Sequence, residues 1–447
     1  MKYPAYPKYK ASGVEWLGEV PEHWEVIPLK HVTSFQNGMA FKPEGWADEG
    51  VPIIRIENLN GGDSFNGYDG FVLQRYHVQF EDLLFGWSGN RGTSFGPYIW
   101  PRQGLHYLNQ HIFKLYDYSC DKSWFYWCLY GVTKTIEDEA HGIIGMVHVT
   151  QTKLGSINIP AVPYEEQRAI AAFLDAKTAK LDTLIAKKRE LIAKLKEKRA
   201  ALITHTVTRG LPPDAATAAG LDPHPKMKDS GVEWLGEVPE HWEVKRLKHI
   251  AKLQTGITLG KDRHNKHTVS VPYLRVANVQ DGYIDTSDVS EIEIEAHELQ
   301  NYALRKGDVL MNEGGDNDKL GRGAVWSGDI SPCIHQNHVF CFRPFGVSSE
   351  FLSLFTQSLC AKHYLFLSSR QSTNLASISS RNIIEIHIPV PPRPEQELIL
   401  GYLADRFAQI DTTSRLAEET IEKLLEYRAA LITAAVTGQI DVREAVQ

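Results

Sequence analysis

The sequence predicts an α+β fold that is built twice, as a globular module followed by a long helix and then a second module followed by a second helix. Two observations lead to this prediction. The stretch SGVEWLGEVPEHWEV occupies positions 12–26 and recurs, letter for letter, at positions 230–244. The segments after each copy also carry similar motifs in the same order. Such an internal duplication predicts a body with pseudo-two-fold symmetry.

The repeated motifs continue through both halves of the chain. VPIIRIENL from Val51 matches VPYLRVANV from Val271, and INIPAVPYEEQ from Ile157 matches IHIPVPPRPEQ from Ile386. Short apolar runs broken by glycines indicate strands and turns before each proline-marked boundary. We therefore predict a first module over 1–160, a first long helix over 161–209, a linker over 210–229, a second module over 230–389, and a second long helix with a tail over 390–447.

Both predicted helices follow a heptad seam of three- and four-residue steps, which indicates a coiled coil. Apolar residues hold most seam positions, and polar residues hold the others: Lys177, Lys188 and Lys198 in the first helix, and Arg406, Thr413 and Thr420 in the second. The apolar seam positions are Ile170, Leu174, Leu181, Leu184, Leu191, Leu195 and Leu202 in the first helix, and Ile399, Leu403, Ile410, Ala417, Leu424 and Leu431 in the second. Residues 164–205 hold ten Lys or Arg and six acids, whereas residues 394–436 hold four and eight. These opposite charges favour pairing of the two helices with each other, although packing of each on its own module is an alternative.

Composition limits the class of protein. The chain has 447 residues and a net charge of −7, which argues against coating nucleic acid by bulk charge but permits local basic faces. It has no apolar run long enough for a membrane span, and its first ten residues, MKYPAYPKYK, lack the apolar core of a secretory signal. Five cysteines without a Cys-x-x-Cys pair predict neither a disulfide framework nor a zinc ribbon, so we expect a reducing cytoplasm.

The sequence offers no familiar catalytic arrangement. GITLGKD from Gly256 has its glycines too close together for a phosphate-binding loop, and GWSGN from Gly86 lacks the final glycine of a nucleophile elbow. His335 and His338 lie near Cys333, but on a strand they would point to opposite faces, so we expect no metal site there. An enzyme with an unrecognised site is a remaining alternative.

Two features together suggest a family: the duplicated GVEWLGEVPEHWEV, and an Ile-Pro…Glu-Gln stretch that leads into each helix at 159–167 and 388–396. Over essentially the whole chain they closely resemble the DNA-specificity subunit of type I restriction-modification systems. The resemblance implies a non-catalytic subunit whose two modules are target-recognition domains, each reading one half of a split, asymmetric site in double-stranded DNA. It also implies that the long helices pair antiparallel as a coiled-coil spacer.

The resemblance further implies that two methyltransferase subunits dock on the helices and that two motor-nuclease restriction subunits join them. No cofactor is expected in this chain, and S-adenosylmethionine, ATP and Mg²⁺ would belong to the partner subunits. No membrane partner is expected. Two alternatives stay open: the same recognition role in a methylation-only complex, and a protein- or RNA-binding scaffold with the same duplicated plan.

Candidate DNA contacts are sought in loops where the two copies differ, because amide and basic side chains read base edges and bind phosphates. In the first module they are Asn90, Arg91, Thr93, His148, Gln151 and Lys153. In the second module they are Lys261, Arg263, His264, Asn265, Lys266, Asn317, Lys319, Arg322, Arg370, Gln371, Ser372 and Asn374. For any single residue, a solvated surface position is the alternative.

Two other sets of residues are expected to be structural. Arg55 and Arg275 occupy the same place in the two copies, inside strand-like runs, and are expected in structural ion pairs. Each copy of the opening motif (residues 12–26 and 230–244) contains four glutamates and no Lys or Arg, so it is a poor phosphate binder. Its aromatic and aliphatic residues predict a packing surface that anchors each module to the helices or to a methyltransferase subunit.

Overall fold

The computed structural model describes residues 3–90, 93–139, 147–258, 268–315, 320–371 and 376–445. Tertiary contacts divide the chain into two compact units, Met1–Lys188 with Glu419–Gln447, and Arg189–Glu418. Both divisions fall inside the long helices, which span Tyr164–Arg209 and Arg393–Val436. Each unit therefore contains one module, the start of the helix that follows it, and the end of the other helix.

The first module is built on an antiparallel sheet with the strand order Gly96–Ile99, Leu83–Gly86, Ile112–Tyr116 and Ser34–Asn37. A second sheet has the order Gly67–Tyr68, Val51–Ile54, His106–Leu108 and His77–Val78, in which the two central strands run parallel. Helix Lys122–Glu139 packs against the first sheet through its buried Trp124 and Phe125. Burial of these rings with Phe85 and Phe113 forms the main core of the module.

The second module repeats this plan. Its main antiparallel sheet has the order Gly323–Val325, Val309–Asn312, Val339–Pro344 and Ala251–Thr255. Its second sheet has the order Ser290–Glu295, Thr268–Leu274 and Ile334–His335, again with a parallel pair. Two helices, Ser349–Gln357 and Leu359–Ser368, stand where the first module has one, because Ser358 caps the second of them through Ala361 N–H. The shared topology confirms the predicted α+β class and the duplication.

Short antiparallel pairs connect each module to its helix. In the first unit, Tyr9–Ala11 pairs with Glu19–Pro21, and Glu25–Pro28 pairs with Asn158–Ala161. In the second unit, the corresponding pairs are Met227–Asp229 with Glu237–Pro239, and Glu243–Arg246 with His387–Val390. The opening motif thus lies in the same two ladders in both units, and the second ladder leads directly into the long helix.

Arg55 and Arg275 begin matching turns, as their shared place in the repeat suggests. Each backbone N–H donates to a buried asparagine three residues on, Asn58 or Asn278, at 2.8 Å in both modules. The Arg55 side chain lies 3.3 Å from Glu57, and Arg275 lies 2.9 Å from Asp288. The expectation of structural ion pairs at both arginines is confirmed.

The apolar residues expected along the seam of the second long helix are largely removed from solvent. Its residues Ile399, Leu403, Ile410, Ala417 and Leu431 are buried and Leu424 is half-buried. On the first helix the seam was wrong at two positions, since the Leu184 and Leu191 side chains are 47% and 36% exposed. Ile185 is buried and Ile192 half-buried instead. Adjacent apolar residues at 184–185 and 191–192 allow two heptad registers, and packing selects the later one.

The first long helix extends to the predicted boundary at position 209. It continues past His205 to Arg209 because Thr206, Val207 and Thr208 are buried in the second unit. It ends at Arg209, and the next residue is Gly210, whose φ of +86° suits glycine. The linker after it is ordered, with a short helix, Pro213–Ala218, that buries Ala216. No helix in the described part of the chain is long and apolar enough to cross a membrane.

Candidate nucleic-acid interface

A short ribbon at one edge of the first module brings two of the candidate segments together. Ser88–Gly89 pairs antiparallel with Val147–His148, so Asn90 at the end of the first strand lies near the segment that carries His148. Asn90 N–H donates to Ser94 Oγ at 2.8 Å, and Thr93 Oγ1 donates to Asn90 O at 3.3 Å. Asn90, Thr93 and His148 are exposed.

The second module has a ribbon at the same place with one more strand. Gly314–Gly315 pairs with Ala376–Ser377, which in turn pairs with Arg370–Gln371. Arg370 and Gln371 are exposed, and they extend the ribbon outward as its edge strand. Because the ribbon recurs in both modules although its side chains differ, it is a repeated scaffold that carries module-specific residues.

A one-turn helix follows the ribbon in each module. Gln151–Ser156 is capped by Thr150, whose side chain accepts from Lys153 N–H, and Ser380–Ile383 is capped by Ser379 in the same way. Gln151 and Lys153 are exposed on this helix. The sequence placed these candidates in loops. The structure places His148, Gln151, Lys153, Arg370 and Gln371 in regular elements instead, because the ribbon ladder depends on pairing between distant segments.

The remaining candidates divide into two groups. Arg322 is half-buried, and its carbonyl accepts from Asn312 N–H at 2.8 Å, beside the main sheet. Ten candidates lie outside the described residues: Arg91, Lys261, Arg263, His264, Asn265, Lys266, Asn317, Lys319, Ser372 and Asn374. The ribbon therefore gathers Asn90 with His148 in one module and holds Arg370 and Gln371 in the other.

Sequence reasoning missed two residues that precede the ribbon, Trp87 and Glu313. The Trp87 indole stacks on Phe113 with centroids 5.7 Å apart and lies 5.6 Å from the His111 ring. In the second module Glu313 Oε2 contacts His338 Nδ1 at 2.8 Å. Alignment of DLLFGWSGN with DVLMNEGGD puts Trp87 and Glu313 at one position, and this mismatch within a matched strand was the available signal.

Burial shifts the pKa values of several histidine and cysteine side chains among the described residues. His335 is buried with Nδ1 at 2.8 Å from Val339 O, and burial lowers its pKa to about 4, whereas His338 is exposed. Burial raises the pKa of the Cys120 and Cys333 thiols to about 12. Among the described residues, no group of three or more His, Cys, Asp or Glu side chains is placed to hold a metal ion.

The opening motif packs against the start of the long helix in the first unit. Leu17, Val20 and Trp24 are buried, while the four glutamates of this copy are exposed. Glu166 in the first helical turn accepts from His23 Nε2 at 2.8 Å and from Trp24 Nε1 at 3.1 Å. Tyr6 also donates to this carboxylate, and burial together with Glu166 raises the pKa of the Tyr6 hydroxyl.

The second unit repeats this anchor with fewer bonds. Glu395 accepts from His241 Nε2 at 2.8 Å. The glutamine after each glutamate also has one role: Gln167 accepts from Asp121 N–H at 2.7 Å, and Gln396 accepts from Ser348 N–H at 2.9 Å. The Glu-Gln pair therefore joins the opening motif to the first turn of the module helix. The predicted packing surface is confirmed, and in each unit its partner is the long helix.

Comparison with known proteins identifies a matching family over most of the chain. The family model described as type I restriction modification DNA specificity domain matches residues 21–194 and 239–425. A relative, the type I restriction enzyme EcoBI specificity subunit of Escherichia coli, is 23% identical over 436 residues, which cover 96% of this chain and 89% of the relative. The MjaVIII specificity subunit of Methanocaldococcus jannaschii is 24% identical, over 95% of this chain and 94% of its own.

A solved structure has a similar fold. A chain from a study of complex assembly and conformational transition of the type I R-M system aligns with a TM-score of 0.57 and 17% identity. The alignment covers 93% of this chain and 98% of that chain. At this identity the likeness concerns the fold alone.

Proposed function

The chain belongs to the type I restriction-modification DNA specificity family, and from this premise we propose that it is a non-catalytic subunit that reads a split, asymmetric DNA site. The observation that carries the proposal is the ribbon that recurs in both modules with different side chains. Two modules of one topology would each bind one half-site. Because Asn90 and His148 in one module are replaced by other residues in the other, the two half-sites would differ in sequence.

Within this proposal, the ribbons and their flanking segments contact the DNA. The exposed candidates Asn90, Thr93, His148, Gln151, Lys153, Arg370 and Gln371 supply amide, imidazole, hydroxyl and cationic groups suited to base edges and phosphates. The basic cluster 261–266 and the segment 316–319 belong to the same proposal on their composition. The opening motif does not, because its glutamates are exposed and would repel phosphates.

The long helices would form an antiparallel coiled-coil spacer with pseudo-two-fold symmetry. Asp182 contacts Arg428 in one unit, and Arg199 contacts Asp411 in the other. Going from the first ion pair to the second means moving forward along the first helix and backward, by the same number of residues, along the second. Equal and opposite steps of this kind are what an antiparallel helix pair requires. The four residues also occupy matching positions of the repeat. Asp182 begins DTLIA and Asp411 begins DTTSR, each after a matched apolar residue, and Arg199 and Arg428 each begin a copy of RAALIT.

The length of the helices supports the spacer role. The first helix has 46 residues and the second has 44, so each is about 65–70 Å long at ~1.5 Å per residue. Two-fold DNA readers place their half-sites about 34 Å apart, one helical turn of the duplex. A helix pair of this length is sufficient to span that distance.

The helices would also dock the partner subunits. Leu184, Leu191, Leu416 and Leu425 are large apolar side chains exposed on the long helices, and exposed apolar residues of this kind mark protein contacts. We assign this surface to two methyltransferase subunits that carry S-adenosylmethionine, joined by two restriction subunits that use ATP and Mg²⁺. A methylation-only complex would use the same helix surface and is the second candidate.

The decisive experiment is to co-express the chain with a type I methyltransferase subunit and map methylated adenines genome-wide. We expect one motif with two unlike halves and a fixed gap, and the absence of any motif would refute the proposal. Replacing residues 230–389 with the corresponding module of another family member should change one half only. Deleting one heptad from each long helix should shorten the gap or abolish assembly, and an unchanged gap in an assembled complex would refute the spacer role.

A further inference from the structure

The position that precedes the ribbon has the same backbone bonds in the two modules. Trp87 N–H donates to His111 O at 3.2 Å, and Trp87 O accepts from Val149 N–H at 3.0 Å. Glu313 N–H donates to His338 O at 2.9 Å, and Glu313 O accepts from Ile378 N–H at 3.0 Å. The scaffold is therefore repeated bond for bond, whereas the side chains it presents are an indole in one module and a carboxylate in the other.

The two side chains offer opposite chemistry to a base. In the first module the indole Nε1–H of Trp87 donates to Gln110 O at 2.9 Å. The indole therefore presents an apolar surface beside the His111 and His148 rings. In the second module the Glu313 carboxylate holds His338 through one oxygen and carries a second oxygen as a further acceptor. A carboxylate accepts from the amino group of cytosine in the major groove, while an apolar surface suits the methyl group of thymine.

The Glu313–His338 pair has little to contribute to folding. The two side chains are 29% and 58% exposed, and an exposed polar contact of this kind stabilises a protein by at most ~1 kcal/mol. The pair also lies directly before Gly314–Gly315 and is joined through Ile378 to the strand that carries Ser377, so it belongs to the ribbon. Its chemistry is therefore available for contact with DNA.

We infer that Trp87 with His111, and Glu313 with His338, are matched specificity-determining positions at which the two modules read different base pairs. The inference rests on the proposed function and deepens it. Glu313 would select a pair in which cytosine presents its amino group, with His338 holding the carboxylate in place. Trp87 would select against a polar partner and favour thymine at the corresponding pair of the other half-site.

The test uses the chain in its methyltransferase complex, with genome-wide mapping of methylated motifs and titration of DNA duplexes that differ at one base pair. Glu313→Gln should lower the preference for one base pair about tenfold, since a good base contact discriminates by ~1–3 kcal/mol, and should leave the other half-site unchanged. Trp87→Glu should alter one base pair of the opposite half. The control is Glu385→Gln in the second module, where Glu385 pairs with Lys248 beside the ladder of Glu243–Arg246 with His387–Val390. It should leave the motif unchanged.

Two failures are distinguishable. If the wild-type complex yields no split motif, the proposed function fails. If the wild type yields a split motif, and Glu313→Gln and Trp87→Glu both leave every base of it unchanged, the inference is overturned while the proposed function stands. Glu313→Asp provides a second variant that keeps the charge but shortens the reach, and it should weaken the same base preference. The thermal unfolding temperature of each variant complex should match that of the wild type. A changed base preference is then due to a changed DNA contact and not to unfolding.

Discussion

Arg428 of the second long helix donates two hydrogen bonds to Asp182 of the first, from Nε to Oδ1 at 2.9 Å and from Nη2 to Oδ2 at 3.3 Å. Its guanidinium also lies 5.7 Å from the ring centre of Trp127 and 5.4 Å from that of Tyr130, both on the module helix. One side chain thus joins three helices of the first unit. In the second unit, Arg199 holds Asp411 at the equivalent repeat positions and stacks on Phe407 at 3.9 Å.

We expect Arg428→Ala to lower the free energy of unfolding by about 1–2 kcal/mol, because it removes a two-bond ion pair and two cation–π contacts from a side chain that is only 16% exposed. A double-mutant cycle with Asp182→Ala in chemical denaturation measures the coupling. The matched control is Lys187→Ala on the exposed face of the same long helix. A coupling energy indistinguishable from zero would show that the pair does not hold the helices in register.

We expect Glu166→Ala to destabilise the chain more than Glu395→Ala. The first change leaves Tyr6, His23 and the buried Trp24 without their hydrogen-bond acceptor. The second removes the single hydrogen bond to His241. A buried donor that loses its partner costs ~1–3 kcal/mol, so we expect losses of about 3 and about 1 kcal/mol. Denaturation of the two variants beside Glu165→Ala, a side chain 85% exposed, provides the measurement. Equal losses for both variants would contradict the larger contribution assigned to Glu166.

Stability should fall with acid because of His335. Its pKa is lowered from 6.5 to about 4 by burial, so the folded chain keeps the imidazole neutral while the unfolded chain takes up a proton below pH 6.5. The contribution is complete above pH 6.5 and is lost progressively as the pH falls toward 4, by about 3 kcal/mol in total. The first module has buried Leu108 at this position, so His335→Leu is the natural control. An unchanged acid profile in this variant would exclude His335 as the cause.

The edge strand of the second ribbon should bind phosphate through Arg370. We expect Arg370→Ala to weaken DNA binding of the assembled complex to similar extents on all sequences and to reduce the slope of log affinity against log salt by about 1. Titrations at several salt concentrations give this slope. Lys226→Ala, which removes an exposed cation paired with Glu240 of the opening motif, should leave the slope unchanged. A changed base preference in Arg370→Ala would instead identify Arg370 as a base reader.

Patterns in the sequence were most informative where they depend on local periodicity or on direct repetition. The duplication, the α+β class and the seam of the second helix were all predictable, because repeated letters and 3.5-residue spacing do not depend on long-range contacts. The first seam failed at Leu184 and Leu191 because adjacent apolar residues allowed two registers, and only packing against a partner distinguishes them.

The candidate interface was predictable in place but not in form. Divergent segments drew attention to Asn90, His148 and Arg370, whose contact with DNA stays a prediction, and the ladder that joins these distant segments into a ribbon leaves no local pattern. Trp87 and Glu313 were missed for the same reason. Each follows a core strand directly, and only the backbone bonds to Val149 and Ile378 reveal the shared scaffold.

By itself, the sequence determined that this protein is a duplicated pair of modules and helices and that its acidic opening motif serves packing. Tertiary structure alone decided which residues hold the modules and helices together. Glu166 and Glu395 bind the opening motif to the long helices, and Arg428 joins the two long helices. The physical reason is distance along the chain. Hydrogen bonds and ion pairs between residues more than a hundred positions apart form only when the fold brings them together, and no local spacing in the sequence encodes them.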